Sequence, residues 1–224
     1  MASVPQNVLD FLRGLAENND REWYQAHKDD YQAAKSAFQG WLQGLMLRVT
    51  EAGLAPLHGL VPSEAMYRIF RDVRFHKDKP PYNPWFSATL GPKGRKTEGA
   101  AFYIRIQAGK SYAGAGFTSY WSADKMAALR QEIDYEPERL VAWLESSTFG
   151  DYFQTLKGES LKRPPKGYDT THPYIALLKR KEFWVDHPLP DHRVLNDSLY
   201  DYLMEVYCAA QPLVEYLNRV YGEE

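Results

Sequence analysis

The chain has 224 residues, 44% hydrophobic and 25% charged, with 27 Lys and Arg against 29 Asp and Glu for a net charge of −2. This is globular composition with enough chain for a substantial core, which excludes a disordered protein, and the charge balance excludes a wholly basic nucleic-acid binder while leaving room for a local basic patch. One cysteine, Cys208, excludes an internal disulfide and a Cys-rich zinc site.

The first residues lack the basic n-region and long apolar run of a signal peptide, and no run of roughly 18 apolar residues exists to span a membrane. A cytoplasmic protein of one domain, residues 1–224, without membrane association is expected. Val8, Phe11, Leu12 and Leu15 recur at helical spacing. "ENND" breaks that helix, and Asn19 with Glu22 has the spacing of a capping-box variant. The next helix carries Trp23, His27, Tyr31, Ala34, Phe38, Trp41, Leu45 and Val49 along one stripe, with Gly53 as a stop. The chain thus opens with an αα-hairpin.

The period then changes. Phe102, Ile104 and Ile106 alternate with Tyr103 and Arg105 as in a half-buried strand. With "MYRIFRDVRF", "WFSATL" and "SYAGAGFTSY" this predicts about four strands, joined by turns rather than helical crossovers, and therefore a central antiparallel sheet. Helices return with Met126, Leu129 and Ile133, then with Pro137 as first residue ahead of Leu140, Val141 and Leu144. The last helical stripe is Leu199, Leu203, Val206, Ala210, Leu213, Leu217 and Val220, which Pro212 is expected to kink or split. The predicted class is α+β: an N-terminal αα-hairpin, a central antiparallel sheet and C-terminal helices.

Two basic cassettes stand out. In "YRIFRDVRFHKDKPPYN", Arg68, Arg71, Arg74, Lys77 and Lys79 are interleaved with Phe70 and Phe75 and followed by Pro80, Pro81 and Tyr82. On a strand, Arg71 falls on the more apolar face with Tyr67 and Ile69, where an unpaired guanidinium is costly without a carboxylate, a ligand or a bulge. Arginine's planar fork suits phosphate or carboxylate, and the prolines pre-order the loop. A salt-bridged strand with a solvated basic end is the plain alternative. The second cassette, Leu156 to Trp184, repeats the chemistry with Lys162, Arg163 and Lys166 around Pro164-Pro165, and with Tyr168, His172 and Tyr174 supplying rings. A solvated basic loop is equally compatible with it.

"NNDREWYQAHKDDYQAAK", "RIFRDVRFHKDKPPYN" and "LKRPPKGYDTTHPYIALLKRKEF" occur in the order found in the bacterial family called domain of unknown function 2461, which the chain resembles from about Val8 to Tyr216. The resemblance implies a single α+β domain with no agreed biochemical activity. It draws attention to Arg21, Glu22, Trp23, His27 and Lys28, for which capping and packing are the plain roles. His76 stands where the family has a small residue such as serine.

Other chemistry is set aside. Gly109-Lys110-Ser111 lacks the earlier glycine of a P-loop, Ile104 standing there, and "GAGFTS" lacks the strand-then-helix setting of a dinucleotide fingerprint. Cys208, among Val206, Tyr207, Ala209 and Ala210, is expected to pack in the interior. "DHPLPDH" offers Asp186, His187, Asp191 and His192, but the flanking prolines hinder their convergence, so neither metal nor other cofactor is expected. Candidates for acid–base work are Asp72, His76, His172 and Tyr82, with no nucleophile specified and enzymatic activity left open. The leading expectation is a site for a phosphate-bearing or other anionic small molecule, with Arg68, Arg71, Arg74, Lys79, Lys162, Arg163 and Lys166 supplying charge and Tyr82 and Tyr168 as polar rims. Nucleic-acid binding and a protein-interaction scaffold are the alternatives.

Overall fold

The computed structural model describes residues 2–72, 80–118 and 121–221. Helices α1 (Gln6–Glu17), α2 (Arg21–Ala26), α3 (Lys28–Glu51) and α4 (Pro62–Ala65) precede strands β1 (Phe86–Leu90), β2 (Ala101–Ile106) and β3 (Ser111–Phe117). Helices α5 (Ala123–Tyr135), α6 (Glu138–Leu144), α7 (Ser147–Tyr152) and α8 (Ile175–Leu178) follow. Strand β4 (Phe183–Leu189) and helices α9 (Asp191–Val194) and α10 (Leu199–Asn218) complete the order. The strands form one antiparallel sheet, β1-β2-β3-β4, with helices before and after it, which is the α+β class the sequence implies. Among the described residues, no helix is long and apolar enough to cross a membrane.

The chain divides into two compact units. The first comprises Met1–Thr97, Tyr103–Ala113 and Pro188–Glu205, and the second Glu98–Phe102, Gly114–His187 and Val206–Glu224.

In the first unit, α1 buries Val8, Phe11, Leu12 and Leu15, and α3 buries Tyr31, Ala34, Phe38, Trp41, Leu45 and Val49. Phe38 of α3 and Phe11 of α1 both meet Phe86 of β1, with ring centroids 5.3 and 6.4 Å away. The expected αα-hairpin is present, but its second arm is broken at His27, whose φ of −110° and ψ of 27° separate α2 from α3. The expected cap moves by one residue. Asp20, not Asn19, caps α2, its Oδ1 accepting the Trp23 N–H at 2.8 Å.

The periodicity of 66–75 predicts a strand; its described part makes only two isolated bridges, Met66 with Ala88 and Phe70 with Tyr82. The chain changes partner between them. Tyr67 N–H donates to Ser87 O at 2.8 Å, whereas Arg71 N–H and Asn83 N–H bond across a tight ladder to Pro81 O at 2.9 Å and Ile69 O at 2.7 Å. Changing partner breaks the alternation, so Met66 and Ile69 are both buried. The fourth strand is instead β4, which begins in the last two residues of the second cassette.

In the second unit, Met126, Leu129 and Ile133 are buried as the period predicts. Pro137 sits one position before α6, which buries Leu140 and Trp143 and leaves Val141 and Leu144 half-buried. Trp143 Nε1 donates to Ala209 O at 2.9 Å, and Tyr216 OH to Glu136 O at 3.1 Å. Helix α10 runs through Pro212 without splitting. Pro212 is exposed, and the residue four positions earlier is Cys208, also exposed, so the carbonyl left without a donor lies on the solvent side. Cys208 is therefore not the interior packing residue its apolar neighbours suggest.

Candidate functional site

The first cassette lies in the first unit, and its best-placed arginine is spent on its own hairpin. Arg71 Nη2 and Nε donate to Asn83 Oδ1 at 2.8 and 3.1 Å, and Nη1 donates to Pro80 O at 3.3 Å. The fork thus ties the two sides of the ladder, which resolves the sequence anomaly without a ligand. Arg71→Lys, which keeps the charge but loses the fork, should destabilise the protein by about 1–2 kcal/mol in urea denaturation. Arg68 is exposed, with no ion pair among the described residues. Asp72 is exposed but engaged. Arg74, His76, Lys77 and Lys79 lie outside the described residues.

Tyr82 is buried and held through its backbone. Its N–H donates to Asn19 Oδ1 at 3.1 Å, and its carbonyl accepts from Asn19 Nδ2 at 3.0 Å. Asn19 is therefore a one-residue strand partner that stitches the first family motif to the first cassette. Around it, Tyr24 stacks on Tyr82 at 4.5 Å and meets Tyr31 and Phe70 at 5.5 and 5.6 Å. Burial, then the neighbouring Tyr31 and Tyr82, pushes the Tyr24 phenol up to about 12, and burial raises Tyr31 and Tyr82 as well.

Phenols raised in the folded state keep protons that the unfolded chain surrenders above pH of about 10, so this contribution is complete below that value and falls towards about 12. The urea midpoint should drop between pH of about 10 and 12, and less steeply in Tyr24→Phe.

The second cassette belongs to the second unit. Arg180 donates to Leu156 O at 2.6 Å and Lys157 O at 3.0 Å, and Leu161 N–H to Lys179 O at 2.7 Å, so residues 156–161 run along 179–184. Arg130 Nε on α5 donates to Leu178 O at 2.9 Å. His172 Nδ1 accepts the Tyr174 N–H at 3.1 Å and so carries no proton, which leaves the proton on Nε2, 2.9 Å from Asp134 Oδ1. Both nitrogens are engaged, an anchoring arrangement rather than that of a free base. Burial, then Asp134 and Tyr135, raises the Tyr168 phenol, while Arg130 opposes them. From this frame Lys162, Arg163 and Lys166 are displayed, exposed and without ion pairs among the described residues.

Three of the four candidate ligands in "DHPLPDH" are also occupied, and His192 is exposed. Asp186 pairs with Lys157, His187 Nδ1 donates to Tyr152 O at 2.8 Å, and Asp191 accepts Gly109 N–H at 2.8 Å. Among the described residues no group of three or more His, Cys, Asp or Glu is placed to hold a metal.

A different arginine in the first unit has no such employment. Arg105 of β2 lies between Trp85 and Tyr112, its guanidinium carbon 4.2 and 5.0 Å from the two ring centroids. Its Nε is buried without a hydrogen-bond partner, and no acidic side chain pairs with it among the described residues. Tyr103 on the same strand face is 5.7 Å from Tyr112 and 6.4 Å from Tyr67, whose hydroxyl is 3.0 Å from Thr89 Oγ1. The opposite face of β2 buries Phe102, Ile104 and Ile106. Alternation in the sequence already puts Tyr103 and Arg105 together on the half-exposed face. What it lacks is Trp85 and Tyr112, which only strand pairing brings beside them. Chemically, the arrangement is a flat cation, pre-oriented by two rings, with donors unspent.

No curated protein and no solved structure matches the chain. A family model described as conserved hypothetical protein (DUF2461) matches residues 7–216. With nearly the whole sequence covered, the chain belongs to the DUF2461 family.

Proposed function

We propose that the protein binds a small anionic ligand, a carboxylate or phosphate ester, on the half-exposed sheet face, with Arg105 meeting the charge and Trp85, Tyr103 and Tyr112 as walls. The observation that carries this reading is the buried, unpartnered Nε of Arg105. Leaving such a donor unmade costs about 1–3 kcal/mol, and a methionine would fill the space between the rings without that cost. A ligand oxygen supplies the missing acceptor once one of the flanking rings, Trp85 or Tyr112, turns aside to admit it, since Nε is closed to water-sized atoms while the rings are in place. The stacked fork favours planar, two-oxygen recognition, and few polar groups among many rings is the usual make-up of a ligand site. Arg68, Lys162, Arg163 and Lys166 have free charge for anions in their own surroundings; Arg71 does not.

The row of rings Tyr67, Tyr103 and Tyr112 on an antiparallel sheet favours a second reading, single-stranded nucleic acid stacked on that face. Thermal shifts at constant ionic strength with benzoate, inorganic phosphate, a nucleoside monophosphate and oligothymidylate separate the two. A small anion at about a hundred times its Kd should raise Tm by roughly 5–10 °C. A response to the oligonucleotide alone, falling steeply with salt, would favour the second reading. A flat response to all four would contradict both.

A further inference from the structure

The loop "GPKGRKT", residues 91–97, has no Walker geometry, yet it builds one wall of a cleft of about 450 Å³ in the first unit. The other walls are the 58–60 turn and Glu64 of α4. That volume lies within the range of small-molecule sites.

The loop is locked in place. Gly94 has φ +55°, and a Cβ there would meet Glu64 O at 2.7 Å, so only glycine allows the loop to close on α4. Arg95 Nη1 completes the lock by donating to the carbonyls of Ser63 at 2.5 Å, Met66 at 3.1 Å and Glu64 at 3.2 Å. These are neutral acceptors at the end of α4, so the arginine's charge stays uncompensated. The one acidic side chain in the lining, Glu64, is engaged elsewhere, its Oε2 accepting the Val61 N–H at 3.3 Å, and it pairs with none of the loop's cations among the described residues. Lys93 and Lys96 are exposed on the rigid turn and make no ion pair among the described residues. His58 also lines the cleft. In a chain of net charge −2, three uncompensated cations on a concave wall concentrate positive potential.

We propose that this cleft is a separate binding site for a compact phosphate polyanion, the di- or triphosphate part of a small molecule. Lysines act here as point charges that tolerate varied phosphate orientations, unlike the single oriented fork of Arg105. Several charges acting together favour a polyanion over orthophosphate.

The test is calorimetric titration of the full chain with tripolyphosphate and with orthophosphate at matched ionic strength. Tripolyphosphate should bind more tightly than orthophosphate, and Lys93→Ala/Lys96→Ala should weaken it at least about tenfold with little change in Tm, since both side chains are exposed. Arg105→Met and the control Lys162→Ala/Lys166→Ala should leave that affinity unchanged. Absence of binding, or unchanged affinity in the Lys93/Lys96 double variant, overturns the proposal. A loss in Arg105→Met assigns the polyanion to the sheet face, and a comparable loss in the control reveals general electrostatics; either result also overturns it.

Discussion

Arg105→Met should fold at least as stably as the native protein while losing its response to small anions. Two terms decide the stability. Removing the guanidinium forfeits its stacking on Trp85 and Tyr112, about 0.5–2 kcal/mol. It also removes a buried donor with no acceptor, which costs the native protein about 1–3 kcal/mol. Methionine restores contact between the rings through its polarisable thioether. The balance runs from near zero to stabilising by about 2 kcal/mol, or an upward Tm shift of up to roughly 8 °C. Binding is governed by a different quantity: the charge-assisted bonds lost from the complex are worth about 1.5–3 kcal/mol, a fall in affinity of about 10–150-fold. Arg105→Lys should fall between, with charge kept and fork lost. A structural arginine gives the opposite pattern, with Tm falling and no anion response to lose. Scanning fluorimetry with and without the anion reads both quantities on one sample.

Asn19→Ala should destabilise the protein by about 2–4 kcal/mol, a large effect for one half-exposed polar side chain. The asparagine satisfies both backbone groups of Tyr82, which is only 5% exposed. Those groups point away from the 69–71 ladder because Phe70 and Tyr82 form a non-hydrogen-bonded pair, flanked by the Arg71–Pro81 and Asn83–Ile69 bonds. Alanine leaves one donor and one acceptor unmade, at about 1–3 kcal/mol each, partly relieved by water. Asn19→Asp keeps the acceptor for Tyr82 N–H and loses the donor to Tyr82 O, so roughly half the loss should remain. The anion response at Arg105 should persist in both variants wherever the protein is folded. Urea denaturation supplies the stabilities; an unchanged midpoint for Asn19→Ala would refute the strand-partner role.

How legible this molecule is from its sequence depends on the range of the interaction concerned. Helical stripes are local: Val8 to Leu15, and Leu129 with Ile133, bury their apolar positions because 3.6-residue periodicity needs no distant partner. The cap at Asp20 is not legible locally, because Asn19 and Asp20 are both good caps and the Asn19 side chain is taken up by Tyr82, 63 residues away. The described part of the strand expected at 66–75, residues 66–72, makes only isolated bridges for a related reason. Its alternation is real, but the chain exchanges β1 for the 81–83 segment partway along. β4 was hidden because Lys179, Arg180 and Lys181 precede it and Pro188 lies within it, a composition that reads as loop.

The candidate site was legible as chemistry rather than as place. Clustered arginines with aromatic rings do suggest an anion, yet Arg71 turns that chemistry inward onto Asn83 and Pro80. Arg105 shows the same chemistry with no internal acceptor for its Nε. In the sequence it is one polar letter in an alternating strand, and nothing local shows which rings will flank it. Telling an employed arginine from an unemployed one requires knowing where each acceptor sits, and that is tertiary information.

The most direct measurement is the 1H–15N spectrum of the arginine Nε–H groups during titration with the small anion that gives the largest thermal shift. A buried Nε–H is shielded from exchange, so Arg105 should give a resolved signal, assigned by its disappearance in Arg105→Met. This signal should move downfield and saturate with the same Kd as the thermal response, as a hydrogen bond to the anion forms. An Arg105 signal that stays fixed while the anion binds and other arginine signals move would contradict it.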